Sequence, residues 1–132
     1  MYRKDQAASK LKRFSAAGRN VKKVDTHVAF PMHLNVIEQP SEGAKQPPKA
    51  WEQLDPRAAR PVRYELFGAV EHQGTYRDGH YTAFVRGGGS AVDNPEGAPP
   101  VWNHFSDSKV TAVNEVAVQK AQAFLLFYSR AS

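Results

Sequence analysis

The 132-residue sequence contains no cysteine. That absence excludes disulfide scaffolds, cysteine-ligated zinc or iron–sulfur centres, and any thiol nucleophile carried by the chain itself. Long apolar runs are missing too. The longest, Phe124-Leu125-Leu126-Phe127-Tyr128, is far too short to span a bilayer. The N-terminus, Met1-Tyr2-Arg3-Lys4-Asp5-Gln6, has no apolar stretch of the secretory kind, so nucleus or cytoplasm is the expected setting, without membrane contact. Five histidines without cysteine and without a close paired spacing give no ligand set, so neither a metal nor another cofactor is expected. What remains is 41% hydrophobic and 23% charged, ordinary globular usage that rules out collagen-like and fully disordered chains. The length allows one domain at most, or part of one.

Charge is spread unevenly. Residues 1–23 hold eight basic groups and one acid, Asp5, whereas the rest of the chain sums to −2. A basic arm of this kind could grip nucleic acid. Its only aromatic residues are Tyr2 and Phe14, and it matches no nucleic-acid motif, so a solvated, partly disordered segment is the expectation.

Two stretches are poor in core-forming pattern. Residues 38–61 carry five prolines, and residues 87–100 open with Gly87-Gly88-Gly89 and close with Pro99-Pro100. Both read as flexible insertions, because neither buries enough apolar surface to offset its ordering entropy. Between them the pattern is mostly strand. Val24, Thr26, Val28 and Phe30 alternate with Asp25, His27 and Ala29 until Pro31. Residues 63–71 form a second candidate, with Tyr64, Leu66, Gly68 and Val70 on one face, and residues 80–86 a third, the two making an antiparallel hairpin around Gly74 and Asp78-Gly79. Val101–Phe105 is a short strand. Asn114 caps one or two helical turns that end by Ala121, and residues 122–130, apolar on both faces, form a central strand. The expected class is α+β, dominated by antiparallel strands, with one short helix and two long loops.

Gly79-His80-Tyr81 puts an imidazole where a glycine-containing turn enters a strand. A general base needs that setting, since the ring must reach a substrate while neighbours hold it. About twenty residues on, Trp102-Asn-His-Phe105-Ser106-Asp107 offers acceptors for the second ring nitrogen, half of a nucleophile–His–acid triad. Taken alone, a histidine near a turn is more often an ordinary surface residue.

The order of motifs changes that reading. Leu11-Lys12-Arg13-Phe14 and Phe30-Pro31-Met32-His33-Leu34 are followed by Tyr64–Gly74, Gly79–Phe84, Trp102–Val110 and Ala123–Tyr128. In sequence and order these blocks resemble the ubiquitin-specific proteases, and they cover nearly everything outside the two insertions. The texture is most similar to the branch that includes the deubiquitinating subunit of the SAGA coactivator. The resemblance implies the C-terminal, histidine-box half of a papain-like catalytic domain, the β-rich palm. It divides the chain into a basic segment, 1–23, with a truncated strand, and the catalytic part, 24–132. It implies ubiquitin and ubiquitinated proteins as partners, with the cysteine supplied by an N-terminal half or within a multiprotein complex. Nucleic acid is not an expected partner.

His80 then matches the catalytic base. The family's third residue, commonly Asp or Asn, falls on Ser106, a departure that weakens support for an imidazolium because a hydroxyl carries no charge. Asp107 matches the family's second acid. Adjacent strand residues face opposite ways, so both can reach His80 only where the strand has ended. Ser106 is favoured as orienter and Asp107 as a second polar support. The segment Gln73–Gly79 resembles a loop that borders the ubiquitin tail, which implies that His72, Gly79 and Tyr81 line a channel for its glycine pair; the alternatives are a solvent-facing His72 and a core Tyr81.

The block before Leu11 departs from the family. Gln6-Ala-Ala-Ser-Lys10 is too polar to pack as a buried strand, so an orphaned sheet edge and marginal stability are expected. Without a cysteine the chain is expected to be inactive alone, and no G-x-S-x-G elbow offers a serine substitute. The competing reading is a catalytically dead ubiquitin-binding or scaffold module.

Overall fold

The structure is a computed structural model that describes residues 6–36, 62–87 and 100–131. The insertions expected at 38–61 and 87–100 lie, apart from Gly87 and Pro100, outside the described residues. The elements are β1 (Gln6–Lys10), β2 (Phe14–Ala17), β3 (Asn20–Lys23), β4 (His33–Val36), β5 (Val62–Gly74), β6 (Gly79–Arg86), β7 (Trp102–Ser106), β8 (Lys109–Val113), α1 (Glu115–Gln119) and β9 (Ala123–Arg130). Among the described residues they build a seven-stranded antiparallel sheet in the order β1-β9-β5-β6-β7-β8, with β4 also paired to β5, and a separate β2–β3 hairpin. The α+β expectation stands.

One sheet face carries the core. Tyr64, Leu66, Phe84, Trp102, Leu126 and Tyr128 are buried with Val118 and Ala121 from the helical segment. Leu66 and Val118 are almost fully buried, and each contributes about 1.5–3 kcal/mol relative to an exposed side chain. Asn114 caps α1 as its sequence predicts, its Oδ1 accepting from the Ala117 N–H at 2.9 Å. β9 is central, between β1 and β5, as its apolar character on both faces requires.

Three expectations need correction, and one element was not anticipated. Residues 24–30 are not a strand. The Arg13 guanidinium, itself buried, takes the carbonyls of Val24 and Thr26 while its Nε donates to Ala123 O at 2.9 Å. Two of the segment's carbonyls are thus held by a side chain and not by a ladder, and its Val24 and Val28 stay exposed. Second, Gln6–Lys10 does form a strand, pairing with β9 from Gln6↔Ser129 to Lys10↔Leu125, although all five residues are exposed. Its backbone ladder needs no apolar face, so the edge of β9 is covered. With the β2–β3 hairpin, this makes residues 6–23 largely strand and not a loose arm.

Third, β5 does not keep one buried face. Its register against β9 shifts between Leu66 and Gly68 and again between Val70 and Glu71. These irregularities rotate Ala69 and Glu71 inward and leave Val70 only half-buried. The unanticipated element is β8, which pairs with β7 through a tight turn after Ser106.

Candidate active site

The β5–β6 hairpin carries the candidate residues. Its ladder runs to Gly74↔Gly79, leaving Thr75–Asp78 as the tip, where the Asp78 N–H donates to Thr75 Oγ1 at 3.1 Å. Both closing glycines are required by geometry. Gly74 sits at φ +87, and a Cβ there would meet Asp78 O at 2.5 Å. At Gly79 a Cβ would fall on the His72 ring.

Alternation along the hairpin separates two groups. Gln73 and His80 are cross-strand partners on one face, and His72 and Tyr81 on the other. On the first face, His80 Nε2 lies 3.0 Å from Ser106 Oγ. The β6–β7 register, ending at Ala83↔Phe105, puts Ser106 diagonally across from His80, within side-chain reach. Asp107 is already in the turn to β8, with φ 51, a left-handed conformation that Asp tolerates. The strand has therefore ended, and the Asp107 carboxylate swings to 3.8 Å from His80 Nδ1. That is ion-pair distance and too long for a hydrogen bond. The His80 side chain is 40% exposed and that of Asp107 85%. The ring is accessible, braced at one nitrogen by a neutral hydroxyl and flanked at the other by a solvated carboxylate.

A buried carboxylate stiffens this face. Glu71 accepts from Thr82 Oγ1 at 3.2 Å, Gln73 Nε2 at 3.0 Å and the Gln122 N–H at 3.1 Å. It ties the strand bearing His80 to the start of β9, with its lone pairs engaged by neutral donors.

On the other face His72 is buried, at 5% exposure, which removes the solvent-facing reading. Its ring meets Tyr81 at 4.8 Å and Phe14 at 5.2 Å, both edge-on. Phe14 also touches Tyr76 at 5.7 Å and Phe124 at 6.2 Å, and Tyr81 lies 5.8 Å from Phe124. Tyr81 is 54% exposed and so is not a core aromatic. Burial holds the His72 imidazole below its ordinary pKa, and the Lys23 ammonium pushes it the same way against a smaller opposing effect of Asp25. Its Nδ1 has no hydrogen-bond partner. Set among aromatics, with its charged form disfavoured, the ring forms a wall.

His80, Ser106 and Asp107 therefore converge, as do His72, Gly79 and Tyr81, on opposite faces of one hairpin end. The sequence reading missed Phe14, Tyr76 and Phe124 as members of the ring cluster, and Lys23 and Glu71 as supports. Phe14, Glu71 and Phe124 lie in the motif blocks and Tyr76 in the Gln73–Gly79 segment, which was a usable signal; Lys23 had none, because it lies outside every block. Among the described residues no group of three or more His, Asp or Glu side chains could hold a metal ion. No described helix is long and apolar enough to cross a membrane.

Comparison with known proteins bears on the family and the fold. The sequence profile of the family described as "Ubiquitin carboxyl-terminal hydrolase" matches residues 8–128. The chain is 38% identical over 136 residues to ubiquitin carboxyl-terminal hydrolase 16 of Danio rerio, covering 92% of this chain and 15% of that one. To ubiquitin carboxyl-terminal hydrolase 45 of Homo sapiens it is 35% identical over 138 residues, covering 91% and 16%. Among solved structures, a chain of the SAGA Ubp8/Sgf11/Sus1/Sgf73 DUB module bound to ubiquitin aldehyde superposes with a TM-score of 0.67 at 30% identity, covering 97% of this chain and 25% of that one. A chain of a yeast SAGA DUB module gives 0.69 at 29% identity, covering 97% and 24%. The chain thus spans about a sixth of the length of these curated relatives. With the histidine-box blocks in family order on the matching sheet, the chain belongs to the ubiquitin carboxyl-terminal hydrolase family, of which it carries the C-terminal, histidine-box part of the catalytic domain.

Proposed function

We propose that this chain forms the base-bearing part of a cysteine-type deubiquitinase, which hydrolyses the isopeptide or peptide bond after ubiquitin's C-terminal glycine. The observation that carries the reading is the His80 ring, exposed at a hairpin mouth and held at Nε2 by Ser106 Oγ at 3.0 Å. With Nε2–H donating to that hydroxyl, the Nδ1 lone pair faces outward to take a thiol proton. The thiolate attacks the glycine carbonyl, and the imidazolium returns its proton to the leaving lysine amine. Water then hydrolyses the thioester. Asp107 stabilises the imidazolium from 3.8 Å, a contribution cut by solvent. His72, Gly79 and Tyr81, joined by Phe14, border the tail's glycine pair, where the Gly79 backbone and ring faces leave little room for side chains.

The thiol must come from elsewhere, because the chain has no cysteine; alone it does not cut. A cysteine-bearing N-terminal half or a larger complex supplies it, in nucleus or cytoplasm. That solved neighbours are bound to monoubiquitin or ubiquitin aldehyde supports ubiquitin as the partner. No cofactor is needed for this chemistry.

A chimera tests the reading. Residues 8–128 replace the matching region of the Danio rerio relative, and cleavage of a fluorogenic ubiquitin substrate is measured. Turnover that His80→Gln removes is expected; the isolated chain should show none. The missing nucleophile favours a second reading, a dead ubiquitin-binding or scaffold module. A chimera without turnover, combined with ubiquitin binding by the isolated chain, selects that reading instead.

A further inference from the structure

Lys23 ends β3, yet its side chain is only 12% exposed, unusual for a residue that normally keeps its charge in water. Its Nζ donates to His72 O at 2.7 Å and to Gly74 O at 2.9 Å, and pairs with Asp25 at 3.1 Å. Three partners match the three N–H donors of an ammonium. Two of them are backbone carbonyls about fifty residues away along the chain, on the hairpin that carries the candidate site. The β5–β9 ladder ends at Glu71, and Lys23 supplies donors to carbonyls just past that end. It thus does the work of a missing strand.

We propose that Lys23 is the brace that holds the β2–β3 hairpin against the β5–β6 hairpin end and sets the width of the channel between them. The proposal rests on the ubiquitin-tail reading of that channel, but its mechanics do not. Phe14, at the base of one hairpin, faces His72 on the other, and Tyr76 extends the contact toward the tip. Ring contacts are soft in direction and permit sliding, whereas two charge-assisted hydrogen bonds to fixed carbonyls do not. Between the tips lies a groove of about 360 Å³, lined by Arg19, Asn20 and Val21 on one side and Thr75, Tyr76, Arg77 and Asp78 on the other. Loss of the brace leaves these walls to the edge-on packing of Phe14 against His72 and Tyr76, and they separate. Lys23 touches no reacting atom and is a positioning residue.

The absence of cysteine permits a clean test on the 132-residue chain. Lys23→Cys is prepared, and half the sample is alkylated with 2-bromoethylamine, which restores an ammonium at the same reach; Lys23→Met is the neutral control. Amide exchange at Thr75–Gly79, the His72 ring titration by NMR, and the Kd for free ubiquitin are compared. In the neutral variants, exchange at the tip should quicken and ubiquitin affinity fall, each on the order of tenfold, as two charge-assisted bonds are lost. His72 should titrate at higher pH once the nearby cation is gone. Aminoethylation should reverse all three. Unchanged tip exchange in Lys23→Met, or a Cys variant indifferent to aminoethylation, overturns the brace. So does a general loss of structure that aminoethylation fails to repair. If the wild-type chain does not bind ubiquitin, the tail reading fails, and tip exchange still decides the brace by itself.

Discussion

Two histidines in one hairpin, His72 and His80, have opposite fates. They sit on neighbouring rungs, paired with Tyr81 and Gln73 respectively, and so face opposite ways. His72 is enclosed by Phe14, Tyr81 and the bare backbone of Gly79, beside a cation that repels a second positive charge. His80 looks onto solvent, with a hydroxyl at one nitrogen and a carboxylate beyond the other. The same side chain becomes wall or base according to what covers it, and cover here comes from elements distant in sequence.

The comparison breaks most visibly at His80. In the cysteine-bearing chimera, His80→Gln should cost about 10²–10⁴ in kcat, the range for losing a general base, with ubiquitin affinity nearly unchanged. A similar kcat loss from His72→Gln would mean that the roles are misassigned. Next, Gly79→Ala should destabilise the isolated chain by about 1–3 kcal/mol, the cost of forcing a methyl into packed space, read as a shift in the urea midpoint. A neutral result would show that the His72 ring moves freely. The third effect is one of pH. His72 has a folded pKa below the unfolded value near 6.5, so between the two the unfolded chain binds more protons and stability rises with pH. Acidification from pH 8 should therefore leave the His72 contribution intact until about 6.5, then remove it as the pH falls through the folded pKa. Denaturation midpoints against pH should show this slope in wild type and lose it in His72→Asn.

The smallest effects separate the two supports of His80. Ser106→Ala removes a neutral hydrogen bond worth about 1 kcal/mol, or roughly fivefold in turnover. Asp107→Asn removes a solvated pair worth at most about 1 kcal/mol, and its effect should shrink as salt rises. Equal losses that ignore salt would remove the ranking of Ser106 over Asp107.

Where local pattern and packing agree, the chain could be read directly. The β5–β6 hairpin, the Asn114 cap and the apolar β9 follow from alternation, capping and burial on both faces. The convergence of His80 with Ser106 was legible through motif order, and the arrival of Asp107 hinged on where β7 stops, which its left-handed turn decides. Residues 24–30 alternate convincingly, but the Arg13 guanidinium competes for their carbonyls from outside the segment, and no window contains that information. The inward turn of Glu71 depends on register shifts set by β9. The Lys23 contact spans about fifty residues and leaves no periodic trace.

The plainest five residues of the molecule carry an outsized duty. Gln6–Lys10 add no side chain to the interior; apart from the Lys10 ammonium, 5.4 Å from the Phe124 ring centroid, their contribution is a ladder along one flank of β9. Strip them away, and Phe124–Tyr128, the most water-averse stretch of the chain, presents its bare N–H and C=O rows to any passing polypeptide. A polar sheath of this type keeps molecules apart more than it holds one together. A version starting at Leu11 should therefore scatter light and sediment as large particles well before its denaturation midpoint moves appreciably.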